Sequence, residues 1–449
     1  MNVRSPLLAT CVVAAGLAGC ASYHRAPLPA GPDLAGSLAA LDRSLPTGDP
    51  PGRIDIARPL TIDDIGLLAM LNNRGLKSER GALAVGGGAV VQATLIPDPT
   101  VSLGYGQLIG GPGTASSIAA SLAQDIAAIV TRPARVKAAV AHLGAVDADE
   151  LWREWQVAQK ARQLAADLYW NGEAIRLVAS ELKLIGAATA QVRKAVAAGN
   201  LTLTALAPLL SAEATAEQTL SALRLGQLQN WQALDALLGL MPRVRFPIAR
   251  PRLAPPPRDP APRLADLPER RPDLAALRLG YRAAEEDVRS AILGQFPAFS
   301  IGPAYGSDTT KVVTIGPSFT FALPIFDRNQ GQIAAARATR LLLREQYQAR
   351  LDAAVANVHG LYAQLRRLAA DLDPARKAAA AAKALAATAR TAYAQGNLDQ
   401  RSLTDYETTA LERAVQVTTI ERQTAEDRVM LAVELGEGLP RTHLALAAR

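Results

Sequence analysis

The side chains best able to do chemistry in this sequence are two cysteines, four histidines and a few placed acids. His24, His142, His359 and His443 are scattered with no ligand spacing, so they predict no metal site. "VGGGAV" (Val85–Val90) lacks the Lys-Ser or Lys-Thr of a phosphate loop and suits close helix packing instead. No Gly-x-Ser-x-Gly occurs, and neither catalysis nor a cofactor is expected. The cysteines, Cys11 and Cys20, sit in the first twenty residues. "MNVR" is a basic start, "LLATCVVAAGL" an apolar run too short to span a bilayer, and "LAGC" (Leu17 to Cys20) a small-residue cleavage site. "LAGC" resembles a bacterial lipobox, so Cys20 is expected to become the lipidated first residue once Cys11 is removed with the signal. Several acyl chains on one residue anchor stably where a single chain is marginal. Ala21, rather than Asp, follows Cys20; by resemblance to known lipoproteins that favours the outer membrane over the inner one.

Composition sets the kind of element that carries these residues. Of 449 residues 49% are hydrophobic but only 4% aromatic, and the surplus is alanine and leucine. Such a chain favours long helices packed through small side chains. The net charge of +7 is spread among acids, without the aromatic-interleaved basic cluster of a nucleic-acid site; no nucleic-acid partner is expected. After the signal, apolar runs are short or broken by charge, so a spanning role requires β-structure.

The chain is written twice. "RPARVKAA" (Arg132–Ala139) aligns with "NQGQIAAA" (Asn329–Ala336), and "AAGNL" (Ala197–Leu201) with "AQGNL" (Ala394–Leu398), both 197 residues apart. "LDALLG" ending at Gly239 matches "LAVELG" ending at Gly436 at the same spacing, and "NNRGL" (Asn72–Leu76) matches "RRPDL" (Arg270–Leu274) at about 198. The organisation read from this is a signal peptide at 1–19, a lipidated tether at 20–59, a first repeat at 60–241, a proline-rich linker at 242–262, a second repeat at 263–440 and a tail at 441–449. Each repeat predicts a helix, two strands and a long helical hairpin, so the class is mainly α with β. Strands are expected near Thr100–Gly106, Ser117–Asp125, Phe299–Tyr305 and Val312–Leu323, and the long helices over roughly Ala134–Ala198 and Ile333–Gln395, with Gly172 and Pro374 as sites of kinking.

The strands alternate. Val101, Leu103 and Tyr105 oppose Ser102 and Gly104; Phe299, Ile301, Pro303 and Tyr305 oppose Ser300, Gly302 and Ala304; Val313, Ile315, Pro317, Phe319, Phe321 and Leu323 oppose small or polar residues. The second strand, with Ile118, Ala120 and Leu122 on its apolar side, is broken by Gln124. Apolar outside and small or polar inside is the pattern of an outer-membrane barrel. The alternative is a soluble four-stranded sheet covered by helices; if the strands span a membrane, four cannot close and an open edge in lipid is forbidden, so several chains must each contribute four. The last strand then passes into a helix at the membrane surface: Pro324 ends pairing, Asp327 or Asn329 caps the helix, and Gly331 relaxes the turn.

With "ERRPDLAAL" (Glu269–Leu277), "LPIFDRNQGQIAAARA" (Leu323–Ala338) and the paired "GNL" tips, the sequence resembles the TolC outer-membrane efflux family from about Leu60 onward. The resemblance implies a homotrimer whose strands form one twelve-stranded barrel in outer-membrane lipid, continued into the periplasm by a barrel of helices. It also implies a periplasmic adaptor and an inner-membrane pump as partners. Its strand-to-helix signature falls on Pro324, Phe326, Asp327, Arg328, Asn329, Gln330 and Gly331, and "DRNQG" looks most like members serving heavy-metal resistance-nodulation-division pumps. "NNRGL", without the usual proline, and "DIAAI", in place of a Pro-Ile-Phe strand end, depart from the family wording. By the same resemblance Gly199, Asn200, Leu201, Gly396, Asn397 and Leu398 are tips that meet the adaptor. Asp399 and Asp405, which in a trimer make rings of three carboxylates, are aperture candidates set against the alternative of exposed helix-start acids. The expected function is an exit duct for efflux, with divalent heavy-metal cations as cargo; a duct for drugs or amphiphiles, protein secretion, and a periplasmic scaffold lipoprotein without a pore are the alternatives.

Overall fold

The computed structural model describes residues 23–45 and 52–437. Cys11, Cys20, the signal and the tail lie outside them. Residues 23–34 belong to a unit of their own and contain no helix or strand. In the larger unit, from Ala35 onward, the first copy consists of α1 (Ile62–Asn72), α2 (Arg74–Thr94), β1 (Thr100–Gly106), β2 (Ser117–Asp125), α3 (Ile126–Ala197) and α4 (Ala207–Leu238). The second copy consists of α5 (Pro272–Leu293), β3 (Phe299–Ser307), β4 (Val313–Phe321), α6 (Gln330–Ala394) and α7 (Gln400–Glu434).

Three boundaries correct the sequence reading. The opening helix of copy one is two helices, because Asn73 leaves helical geometry at ψ 123 and its side chain accepts from the Leu76 amide, starting α2 afresh. The helix expected from Ala134 begins at Ile126: Asp125, the last residue of β2, accepts a hydrogen bond from the Ala128 amide and caps α3 directly, and Pro133 is absorbed inside it. Neither Gly172 nor Pro374 divides its rod. The 72 residues of α3 and 65 of α6 run unbroken for about 108 Å and about 98 Å at 1.5 Å per residue.

The duplication holds down to single bonds. In copy one the Arg132 Nε donates to the Thr94 carbonyl at the end of α2, 2.8 Å. In copy two Asn329, 197 residues on, donates through Nδ2 to the Ala291 carbonyl of α5, also 2.8 Å and at the same offset. Each bond ties the start of a long helix to the helix before its strands.

The main core lies around the middle of α3. Ile65 and Leu68 of α1, Leu164 of α3 and Leu234 of α4 pack there, together with Leu41 and Ile54 of the leader. Those two leader residues make the last part of the tether region a packed element: the Asp42 amide donates to the Asn72 Oδ1, and Asn72 donates back to the Asp42 carbonyl, each at 2.8 Å. The linker is docked as well, with Phe246 in the core, Arg250 on Glu421 at 3.5 Å and Tyr362 donating to the Arg258 carbonyl.

In copy two the corresponding joint is ionic. Arg271, 2% exposed, donates to both oxygens of Asp273 at 3.0 and 2.8 Å, pairs with Glu434 and lies over Trp152 at 4.7 Å; Arg350 reaches the same Asp273 at 3.0 Å. The "RRPDL" wording thus clamps α5 to the end of α7 and to α3.

Candidate functional site

The four strands form one antiparallel sheet in the order β1-β2-β3-β4. Their register puts Leu103 opposite Ala120, Ala120 opposite Tyr305, and Tyr305 opposite Ile315; likewise Ile301 stands opposite Phe319. Within the four strands, the apolar residues picked out by alternation therefore share one face, and that face is bare: Leu103 and Ile315 are each 80% exposed and Phe319 55%; Leu323 lies past the end of β4. Such a continuous exposed apolar patch marks contact with lipid or protein. The other face carries Ser102, Ser121, Gly302, Ala304 and Thr320. Here the ladder skips Leu122 and Ala123 of β2, because Pro303 has no N–H to offer and Gly302 lies so close that a Cβ would stand 1.7 Å from the Leu122 carbonyl oxygen. Gln124, at the end of the apolar face, donates to the Pro97 carbonyl at 2.9 Å. The outer edges of β1 and β4 pair with no other strand among the described residues. No helix among the described residues is long and apolar enough to cross a membrane.

The strand-to-helix signature is a self-bonded turn. The Arg328 amide donates to Gln330 Oε1 at 2.7 Å, and the Asn329 amide donates to Asp327 Oδ1 at 2.8 Å. Gln330 reaches back to the Phe326 carbonyl at 3.2 Å and Arg328 to that of Pro324 at 3.4 Å. The expected cap is corrected: Asn329 stands at the cap position in left-handed geometry, φ 61, with its side chain spent on Ala291, and Asp327 does not cap α6. Gly331 falls inside α6, and Phe326 is 91% exposed beside the sheet.

At the far end the two tips are copies of one turn. Gly199 and Gly396 both have φ 77, which an unbranched backbone accepts freely. The Gly199 and Asn200 amides donate to the Val196 and Ala195 carbonyls, and the Gly396 and Asn397 amides to those of Tyr393 and Ala392. This pair of hydrogen bonds closes each long helix and leaves Asn200 and Asn397 exposed beside Leu201 and the half-buried Leu398.

Beyond the tips the copies differ. Asp399 caps α7, accepting from the Ser402 amide at 2.9 Å and hydroxyl at 2.7 Å; these bonds hold its carboxyl below the usual range. Asp405 lines a cleft of about 990 Å³ between α4 and α7, so the two aperture candidates are in different settings. Among the described residues, no cluster of three His, Cys, Asp or Glu side chains is set to hold a metal ion.

An open four-stranded sheet running into two copies of a very long helical hairpin is a distinctive arrangement, and residues 264–437 match the model of the family described as outer membrane efflux protein. The second copy carries that family's pattern. Solved structures extend the likeness to most of the chain: CusC, at 15% identity and TM-score 0.69, covers 91% of this chain and 100% of its own. The CmeC outer membrane channel of Campylobacter jejuni (15%, 0.71) covers 85% and 86%, and the open state of the Neisseria gonorrhoeae MtrE outer membrane channel (18%, 0.69) covers 85% and 90%. At these identities the likeness is one of fold. No curated protein matches the sequence.

Proposed function

We propose that three copies of this chain form the outer-membrane exit duct of a tripartite efflux system, anchored through lipid on Cys20 and joined at the tips to a periplasmic adaptor and thereby to an inner-membrane pump. The carrying observation is the bare apolar sheet with two unpaired edges, which in lipid requires β4 of one copy to pair with β1 of the next. The duplication supports the same join among the helices. In copy two, α5 is packed between α3 and α6; its counterpart α2 packs mainly on α3 among the described residues, and its exposed Val85 and Val91 offer a face to α6 of a neighbouring copy. Around the ring, the small and polar sheet face then lines the pore.

Divalent heavy-metal cations are the cargo we favour, on the "DRNQG" wording of Asp327–Gly331; drugs and other small amphiphiles are the second reading. A clean deletion strain is expected to lose growth on zinc, cobalt, cadmium or copper while keeping its tolerance of drugs and detergents. The wild-type gene should restore growth and a Cys20→Ser form should not. Sensitivity confined to the drug panel would overturn the metal cargo and leave the duct standing.

A further inference from the structure

Four acids outside the sheet and tips are gathered on one seam. There α3 of the first hairpin and α7 of the second run antiparallel and join the two copies. Nearer the tips, Glu181 of α3 faces Glu407 of α7, and both are buried, at 8% exposure. Arg390 of α6 takes Glu407 at 2.6 Å, and Glu181 Oε1 is left with no hydrogen-bond partner. About 21 Å farther along α3, by helix rise, Glu426 of α7 and Asp167 of α3 stand side by side on one guanidinium, that of Arg422.

The cations within reach are few. Arg422 lies 2.6 Å from Glu426 and 3.4 Å from Asp167, and Lys160 of α3 is farther off. Arg250 of the linker and Arg376 of α6 are both committed to Glu421, and Arg428 to the Leu253 carbonyl. The remaining acids add negative charge: Asp427, held by Gln423 at 2.8 Å, and Glu213 of α4 near Gly186. Glu181 stands between Val178 and Ile185 on the buried stripe of α3, where an apolar side chain would pack. Alongside runs the cleft of about 990 Å³ between α4 and α7, lined by Thr215, Asp405 and Leu411 among others, which gives the hairpins room to shift.

We propose that these two carboxyl pairs are a proton-operated latch between the hairpins: with Glu181 and Glu426 protonated, α7 is held against α3, and with both ionised the helices are driven apart. Burial pushes Glu181 from its ordinary 4.5 up to about 7, with the charge of Glu407 adding and Arg390 opposing. Burial first, then the neighbouring Asp167, pushes Glu426 up to about 7 as well. Both acids are raised in the closed seam, so closure binds protons. Its stabilisation is complete below about pH 4.5, fades as pH rises, and is gone above about 7. Applied to the duct proposed above, acid holds the hairpins together and neutrality frees them.

Hydrogen exchange of the full-length chain in detergent tests the latch without assuming a pore. Amides of 160–190 and 400–430 are followed from pH 5 to 8, each rate referred to the unstructured rate at that pH. The wild type is expected to lose at least ~10-fold protection between pH 5 and 7, since each linked proton gives up to ~10-fold per pH unit, and then to level off. Glu181→Gln with Glu426→Gln should be flat and stay protected, and each single variant should keep part of the slope. A flat wild type, or equal slopes in wild type and the double variant, overturns the latch. Conductance in planar bilayers then reads the duct separately. A wild type that conducts equally at pH 5 and 7 overturns the link between latch and passage, while a chain that never conducts counts against the duct and leaves the exchange result in place.

Discussion

Replacing Arg271 with methionine is expected to lower the stability of the folded chain by about 3 kcal/mol, the lower end of the range for breaking a buried ion pair. Methionine keeps much of the stem over Trp152 but removes both bonds to Asp273, 4% exposed, and the pairing with Glu434. Most of the penalty comes from the carboxylate left behind. Arg350, 3.0 Å from the same carboxylate, keeps the loss from being larger. The denaturation midpoint of the detergent-solubilised protein measures it, and the cycle with Asp273→Leu apportions it. The double variant should recover most of the loss, because an apolar pair of similar volume leaves no stranded charge. An Arg271→Met chain as stable as its parent would mean that the "RRPDL" clamp does not hold α5 to α7.

Leu103→Arg and Ser102→Arg should have opposite outcomes although the residues are neighbours. Leu103 is mid-strand in β1 on the bare apolar face, and Ser102, paired with Ser121, is on the small and polar one. In lipid an arginine near the bilayer midplane costs about 2–4 kcal/mol, and three copies meet that cost together. Leu103→Arg is therefore expected to abolish insertion and leave little protein in the outer-membrane fraction. Ser102→Arg should insert near the normal level and alter only what passes. Equal loss in both, or tolerance of both, would contradict the assignment of the faces.

The sheet was legible because its signal is local: period-two alternation names the face before any pairing is known, and Gln124 marks its end. The tips were legible because Gly-Asn repeats at one offset and both copies close with the same pair of hydrogen bonds. The helix boundaries were less so. An aspartate at a strand end is not a start signal until β2 is seen to run straight into α3, and Asn329 reads as a side-chain cap until its amide is found on Ala291. The leader gave no warning either, since Pro- and Gly-rich composition hides two core residues, Leu41 and Ile54. Glu181 and Glu407 are far apart in sequence and meet only across the seam. The available signal was an acid on the stripe of Val178, Ile185 and Val192, a position that reads as core.

The claim on which the rest depends is that separate chains complete one another's sheet. The mass of the full-length protein extracted in mild detergent, with bound detergent subtracted, tests it most directly. The account predicts a particle of three chains that stays intact on dilution, because β1 and β4 would otherwise present bare edges to lipid. A stable particle with the mass of one chain would contradict it and return the molecule to a helical scaffold without a pore.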